Sequence, residues 1–249
     1  MTYRFLIFLL FMGGCSSLKI PENYHYKEIP TSEFTIASWQ KITSPQAPYK
    51  IYIEGDGHAF NARGQITNDP TPHGTLMREL AFGDAHANVI YLARPCQYVK
   101  DNHCTKEYWS TARFAPEVIS AEYQAIKSVT QNNPITLVGF SGGAQIAGLL
   151  AVQKDLNIQK VITIAGNLDH KAWTSYHCLP PLTKSLNLAD EKEKFASISQ
   201  HHFIGEKDNV IPPFLTKKFI TDKKQITIIP QASHATGWED FYQYIRNID

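Results

Sequence analysis

Residues 135–143 read Ile-Thr-Leu-Val-Gly-Phe-Ser-Gly-Gly, and their reading decides the architecture. The first six form an apolar, β-rich run opened by Asn133-Pro134, as expected of a buried strand. Residues 142–153 are small and apolar and suit a deeply packed helix. Between the two lies Gly139-Phe140-Ser141-Gly142-Gly143, a G-x-S-x-G pattern in strand–turn–helix context. Such a turn is tight and strained, and it lifts the serine hydroxyl above the sheet. The flanking glycines are needed because a side chain there would collide with the adjoining strand or helix. The helix also aims its amino end at the serine, which favours developing negative charge. The plain alternative is a Ser/Gly turn whose small residues merely allow close packing.

Outward from this stretch, β-rich runs alternate with helix-like segments. Residues 34–42 and 49–53 read as a β-hairpin, with Pro45 and Pro48 in the connection. Further strands are expected at 88–93, 160–165, 202–205 and 225–229. Helices are expected at 74–82, 116–130, 213–221 and 237–245, the second opened by Pro116 at its first position. The strands are apolar on both faces, which suits a parallel sheet covered on each side. The fold class is therefore α/β: a mostly parallel sheet of about seven strands flanked by helices on both faces. Ligands in such sheets bind at the carboxyl ends of the strands. Residues 167–199 are polar and leave room for a small cap at most.

A serine hydroxyl needs a base. His234, in Gln231-Ala232-Ser233-His234-Ala235, follows the last strand and precedes the last expected helix. His201 and His202 begin a strand and belong to its other end, and His170 and His177 are weaker rivals. The base in turn needs an acid to fix its tautomer. Asp208, in Gly205-Glu206-Lys207-Asp208-Asn209-Val210-Ile211-Pro212, follows the strand at 202–205, with Asp169 as the competing choice and Glu206 expected on the other side of the turn.

The order Ser141, Asp208, His234, each after a successive strand, resembles the α/β-hydrolase superfamily from about residue 34 to the end. The chain is also similar to uncharacterised bacterial hydrolase lipoproteins. The resemblance implies a Ser141 acyl-enzyme that cleaves a small ester, thioester or amide, most simply a carboxylic ester, without a cofactor or metal. It also implies an oxyanion hole built from backbone N–H groups. Gly142 is one donor, and the other is Gly57 or Asp56 in Glu54-Gly55-Asp56-Gly57-His58. This loop departs from the His-Gly-Gly pattern of many lipases, so long-chain lipase activity is not expected. Loops at the reactive end carry Arg94, Tyr98, Tyr108, Trp109, Arg113, Trp173 and Tyr176. They suit a moderately polar organic substrate, whose carboxylate an arginine could bind. A second class of function is a catalytically inactive hydrolase-fold lipoprotein serving as a binding or assembly factor. The presence of all three of Ser141, Asp208 and His234 argues against it.

The 249 residues are 43% apolar and 19% charged, enough to bury a large core, and no linker divides them. Residues 1–14 read as a lipoprotein signal peptide: Arg4, then an apolar run over 5–12, too short to span a bilayer. Met12-Gly13-Gly14-Cys15 resembles the lipoprotein box, with Cys15 as the lipidated residue. Residues 15–33 then form a tether, and 34–249 the hydrolase domain. The expected location is the bacterial cell envelope, lipid-anchored at the periplasmic or outer-membrane face. Loss of Arg4 brings the formal charge from +1 to zero, and without a basic patch no nucleic-acid partner is expected. The expected partners are a small acyl substrate and the membrane that holds the anchor. Three cysteines remain, and Cys96–Cys104 is the favoured disulfide of three possible pairings.

Overall fold

The computed structural model describes residues 18–152, 155–239 and 241. Its strands are β1 (His25–Pro30), β2 (Thr35–Ile42), β3 (Tyr49–Ile53), β4 (Asn88–Leu92), β5 (Ile135–Phe140), β6 (Ile158–Ile164), β7 (Gln200–Gly205) and β8 (Ile226–Ile229). They form one sheet in the order β1-β2-β4-β3-β5-β6-β7-β8. β2 runs antiparallel to both β1 and β4, and every other neighbouring pair is parallel. The helices are α1 (Leu76–Phe82), α2 (Pro116–Thr130), α3 (Gly142–Ala151), α4 (His170–Tyr176), α5 (Lys192–Ala196) and α6 (Pro213–Phe219).

Every residue of β3 and β4 is buried, because the sheet is covered on both faces. Alternation along the strands divides the core in two. Ile51, Ile53 and Leu137 pack with Val118 and Ile119 of α2 and with Ala144 and Ile146 of α3. Tyr52, Tyr91 and Val138 face the other way, onto Met77 and Leu80 of α1 and onto Trp238. α3 is buried along its whole length, as its small apolar sequence requires. From β3 the chain goes to β4 on one side and then crosses to β5 on the other. The reversal opens a crevice at the carboxyl ends of β3 and β5, where ligands of such sheets bind.

Two expectations need correction. Residues 34–42 and 49–53 do not form a hairpin. β4 lies between them, antiparallel to β2 and parallel to β3. Residues 25–30, read above as part of the tether, form edge strand β1 paired with β2, which brings the sheet to eight strands, in keeping with the about seven expected. The expected helix at 237–245 falls largely outside the described residues, as do the signal peptide and Cys15. Cys96 and Cys104 are bridged, with Cα atoms 5.5 Å apart, and Cys178 is an exposed thiol. No helix among the described residues is long and apolar enough to cross a membrane.

One buried acid sets a pH dependence. Glu122 of α2 is fully buried, and neither carboxylate oxygen has a hydrogen-bond partner among the described residues. Arg94 Nε stands 3.7 Å from Oε1. Burial pushes the Glu122 carboxyl up from 4.5 to about 8, against the opposing pull of Arg94. Between those values the unfolded chain is ionised there while the folded chain holds a proton. The folded state binds more protons, so stability falls as pH rises through this window. Glu122→Gln removes the fall. Thermal unfolding should give near-equal stabilities around pH 4.5 and a more stable variant at pH 8, by on the order of 3 kcal/mol. A gap that does not widen with pH would refute this.

Candidate active site

The turn after β5 places Ser141 at φ 50°, ψ −119°, a backbone region that costs a non-glycine residue strain. The neighbours of this turn are as tight as the sequence implied. A Cβ on Gly139 would lie 2.5 Å from the Gly143 carbonyl, and one on Gly143 would lie 2.4 Å from the Ile53 carbonyl. Strand, turn and helix therefore fit only with glycine at both positions.

Three chain segments meet over this turn. His234 Nε2 lies 3.0 Å from Ser141 Oγ, and His234 Nδ1 lies 2.9 Å from Asp208 Oδ2. Asp208 is buried, and its other oxygen accepts the N–H groups of Val210 (2.9 Å) and Ile211 (2.8 Å). One carboxylate oxygen thus fixes the acid loop and the other is reserved for the imidazole. Phe140 lies against the His234 ring, centroids 5.0 Å apart. Ser141 and His234 both line a cavity of about 400 Å³ together with Phe60, Leu76, Met77 and Trp173.

No family model matches the chain, and no curated protein matches it. Solved structures do. The chain is similar to an alpha/beta fold family hydrolase from Bacillus anthracis str. Sterne, at TM-score 0.60 and 11% identity, over 90% of this chain and 97% of that one. It is similar to Est1E from Butyrivibrio proteoclasticus, at TM-score 0.60 and 11% identity, over 91% and 95%. It is similar to the thioesterase domain from the curacin biosynthetic pathway, at TM-score 0.58 and 12% identity, over 90% and 99%. The chain has the α/β-hydrolase fold.

Within this α/β-hydrolase frame the rival residues fall elsewhere. Asp169 caps α4, accepting the N–H groups of Lys171 and Ala172 (both 3.1 Å) and Asn187 Nδ2 (2.9 Å). His170 is buried against Phe114, and His177 Nε2 meets the Val210 carbonyl. His202 is buried between Thr163 and Gln200, and burial pushes it down to about 3, so it stays neutral. Glu206 is exposed.

The loop after β3 crosses the turn as expected. A Cβ on Gly55 would stand 3.2 Å from that of Ser141. Asp56 and Gly57 both line the cavity, and no N–H of Gly142, Asp56 or Gly57 has an internal acceptor among the described residues. Gly57 adopts φ 61°, and a Cβ there would lie 2.1 Å from the Pro70 carbonyl.

The Asp56 side chain has a role that sequence reasoning missed. Its Oδ1 would lie 2.2 Å from a Cβ on Gly142, so the carboxylate packs directly on the residue after Ser141. Arg113 Nη1 donates to its Oδ2 at 2.6 Å, and Arg94 Nη1 stands 3.4 Å from Oδ1. Burial alone would push this carboxyl up; the Arg113 and Arg94 guanidiniums outweigh it and hold it below its ordinary range. The two arginines therefore clamp the loop that carries both N–H candidates. An acid inside a glycine-rich loop was the available signal, but its partners are far away in sequence.

Of the seven side chains expected near the pocket, Arg113 and Trp173 line it. Tyr98 packs on Trp39 and Tyr91, Tyr108 on Phe34, and Trp109 donates to the Thr67 carbonyl. Tyr176 packs on Phe214, and Arg94 is buried behind the wall. His58 and His73, stacked with centroids 4.0 Å apart, join the lining instead. Among the described residues no cluster of His, Cys, Asp or Glu is placed to hold a metal ion.

Proposed function

We propose that the protein is a serine hydrolase that cleaves a small carboxylic ester, thioester or amide through an acyl-enzyme on Ser141. The observation that carries this reading is the continuous contact from Ser141 Oγ through the His234 ring to Asp208, at 3.0 and 2.9 Å. His234 Nε2 takes the serine proton as Oγ attacks the acyl carbon, and then delivers it to the leaving group. The Asp208 carboxylate accepts the Nδ1–H bond, which leaves Nε2 free to act as base and stabilises the imidazolium that follows. The Gly142 N–H and an N–H of the Asp56–Gly57 segment receive the oxyanion. Water, activated by the same imidazole, then releases the acyl group.

A fluorophosphonate probe tests the reading. Wild-type protein should be labelled, with the adduct mapped to Ser141 by peptide mass spectrometry. Well-folded protein that resists labelling would overturn the assignment.

We also propose that Cys15 is acylated after cleavage behind Gly14, which holds the domain at a membrane face. Intact-mass measurement on protein from a bacterial host should show residues 1–14 lost and acyl mass gained; an unprocessed amino terminus refutes it.

A further inference from the structure

The cavity beside Ser141 is lined by both acidic and basic side chains. Among its described lining residues the acids are Glu54 and Asp56, and both are engaged. Glu54 is buried, accepts from Tyr91 Oη (2.7 Å) and the Gly55 N–H (2.8 Å), and burial pushes its carboxyl up. Asp56 is shared between two guanidiniums. The Arg113 guanidinium lines the same cavity, beside the rings of His58, His73 and His234.

Arg113 is the group with unused capacity. Its Nε donates to the Ser110 carbonyl at 2.7 Å and its Nη1 to Asp56 at 2.6 Å, while Nη2 has no protein acceptor among the described residues. That nitrogen is not sealed in the core, and the side chain lines both this cavity and a smaller pocket shared with Arg94, Tyr108 and Trp109. The guanidinium carbon lies 5.3 Å from the Phe60 ring centroid and 6.0 Å from that of Trp173. Two rings therefore lie within cation–π reach and supply apolar surface next to the guanidinium. Arg94, the second cation, is spent differently. It is buried, donates to the Arg113 carbonyl, approaches Glu122 and does not line the cavity.

We propose that Arg113, with Phe60 and Trp173, forms a carboxylate-binding subsite, so that the substrate is an ester, thioester or amide bearing a free carboxylate on an apolar or aromatic frame. One open guanidinium nitrogen suits a singly charged carboxylate, and a charge-assisted bond in a largely apolar cleft gives the discrimination. The subsite serves the Ser141 reaction proposed above and rests on that reading for its place in catalysis.

Binding is measured apart from turnover. Calorimetry on the Ser141→Ala protein compares 4-phenylbutyrate with 4-phenylbutyramide, which share a frame and differ in charge. The carboxylate should bind about tenfold more tightly at low salt, and the ratio should shrink as salt rises. Arg113→Gln should bring the ratio near one, and Arg113→Lys should restore part of it. Turnover supplies a second measurement: the wild type should favour the mono-p-nitrophenyl ester of glutaric acid over p-nitrophenyl valerate in kcat/KM, and Arg113→Gln should lose that preference. Equal affinities for acid and amide in the Ser141→Ala protein, or no detectable binding of the acid, overturn the subsite. Cleavage of both esters without preference also overturns it while leaving the hydrolase reading intact. If neither ester is cleaved and no probe labels Ser141, the hydrolase reading fails, and calorimetry still decides the subsite.

Discussion

Ser141→Ala should remove fluorophosphonate labelling and lower ester hydrolysis by on the order of 10³-fold or more, with the effect in kcat. The substitution is clean on structural grounds. Alanine keeps the Cβ, so the strain at φ 50° is the same in both proteins and the turn has no reason to relax. The lost atom, Oγ, contacts His234 Nε2 at 3.0 Å, and His234 keeps its bond to Asp208. Unfolding temperature and circular dichroism should therefore be nearly unchanged. Any residual rate would come from water attacking under His234, helped by the Gly142 and loop N–H groups, since binding and oxyanion donors survive. A residual rate within tenfold of wild type would mean that the nucleophile is another group or that the reaction occurs elsewhere.

What the sequence disclosed about the fold and the site depended on the range of each interaction. The turn at Ser141 is local: six strand residues, Ser141 and a small-residue helix stand in one continuous stretch, and their steric demands leave a readable pattern. Asp208 and His234 were legible because each follows its own strand, so the parallel sheet delivers them to one edge. Strand pairing was less legible. β3 is buried at all five positions, and nothing in such a run says whether its neighbour is the previous strand or a later one. β1 is exposed at five of its six positions and shows no period-two pattern, so it reads as tether even though it pairs along its full length. The Asp56 clamp was hidden for a third reason. Its arginines lie 38 and 57 residues away, and the carboxylate acts through packing on Gly142 rather than through a motif.

Asp208→Asn should cost about 10³- to 10⁴-fold in kcat, and the reason lies in the second oxygen of the carboxylate. Oδ1 of Asp208 accepts two backbone N–H groups, from Val210 and Ile211, at 2.9 and 2.8 Å. An asparagine amide has a single oxygen. Placed on those N–H groups, it keeps the acid loop folded, and the NH2 group then faces His234 Nδ1. Turned the other way, the NH2 group meets two donors and leaves both unsatisfied in a buried site, which costs more than the flip gains. The first arrangement therefore wins. A donor facing Nδ1 forces that nitrogen to accept and puts the imidazole proton on Nε2, where it points at Ser141 Oγ. The ring can then no longer take the serine proton. The variant should fold normally and keep KM within a few fold, because the lost function is a tautomer and not a contact with substrate. Asp169→Asn is the matched control. Its carboxylate caps α4 and has no bond to His234, so it should cost a little stability and leave kcat nearly intact. If Asp208→Asn is silent and Asp169→Asn is not, the acid that orients the base has been misassigned and the strand after which it stands must change from β7 to β6.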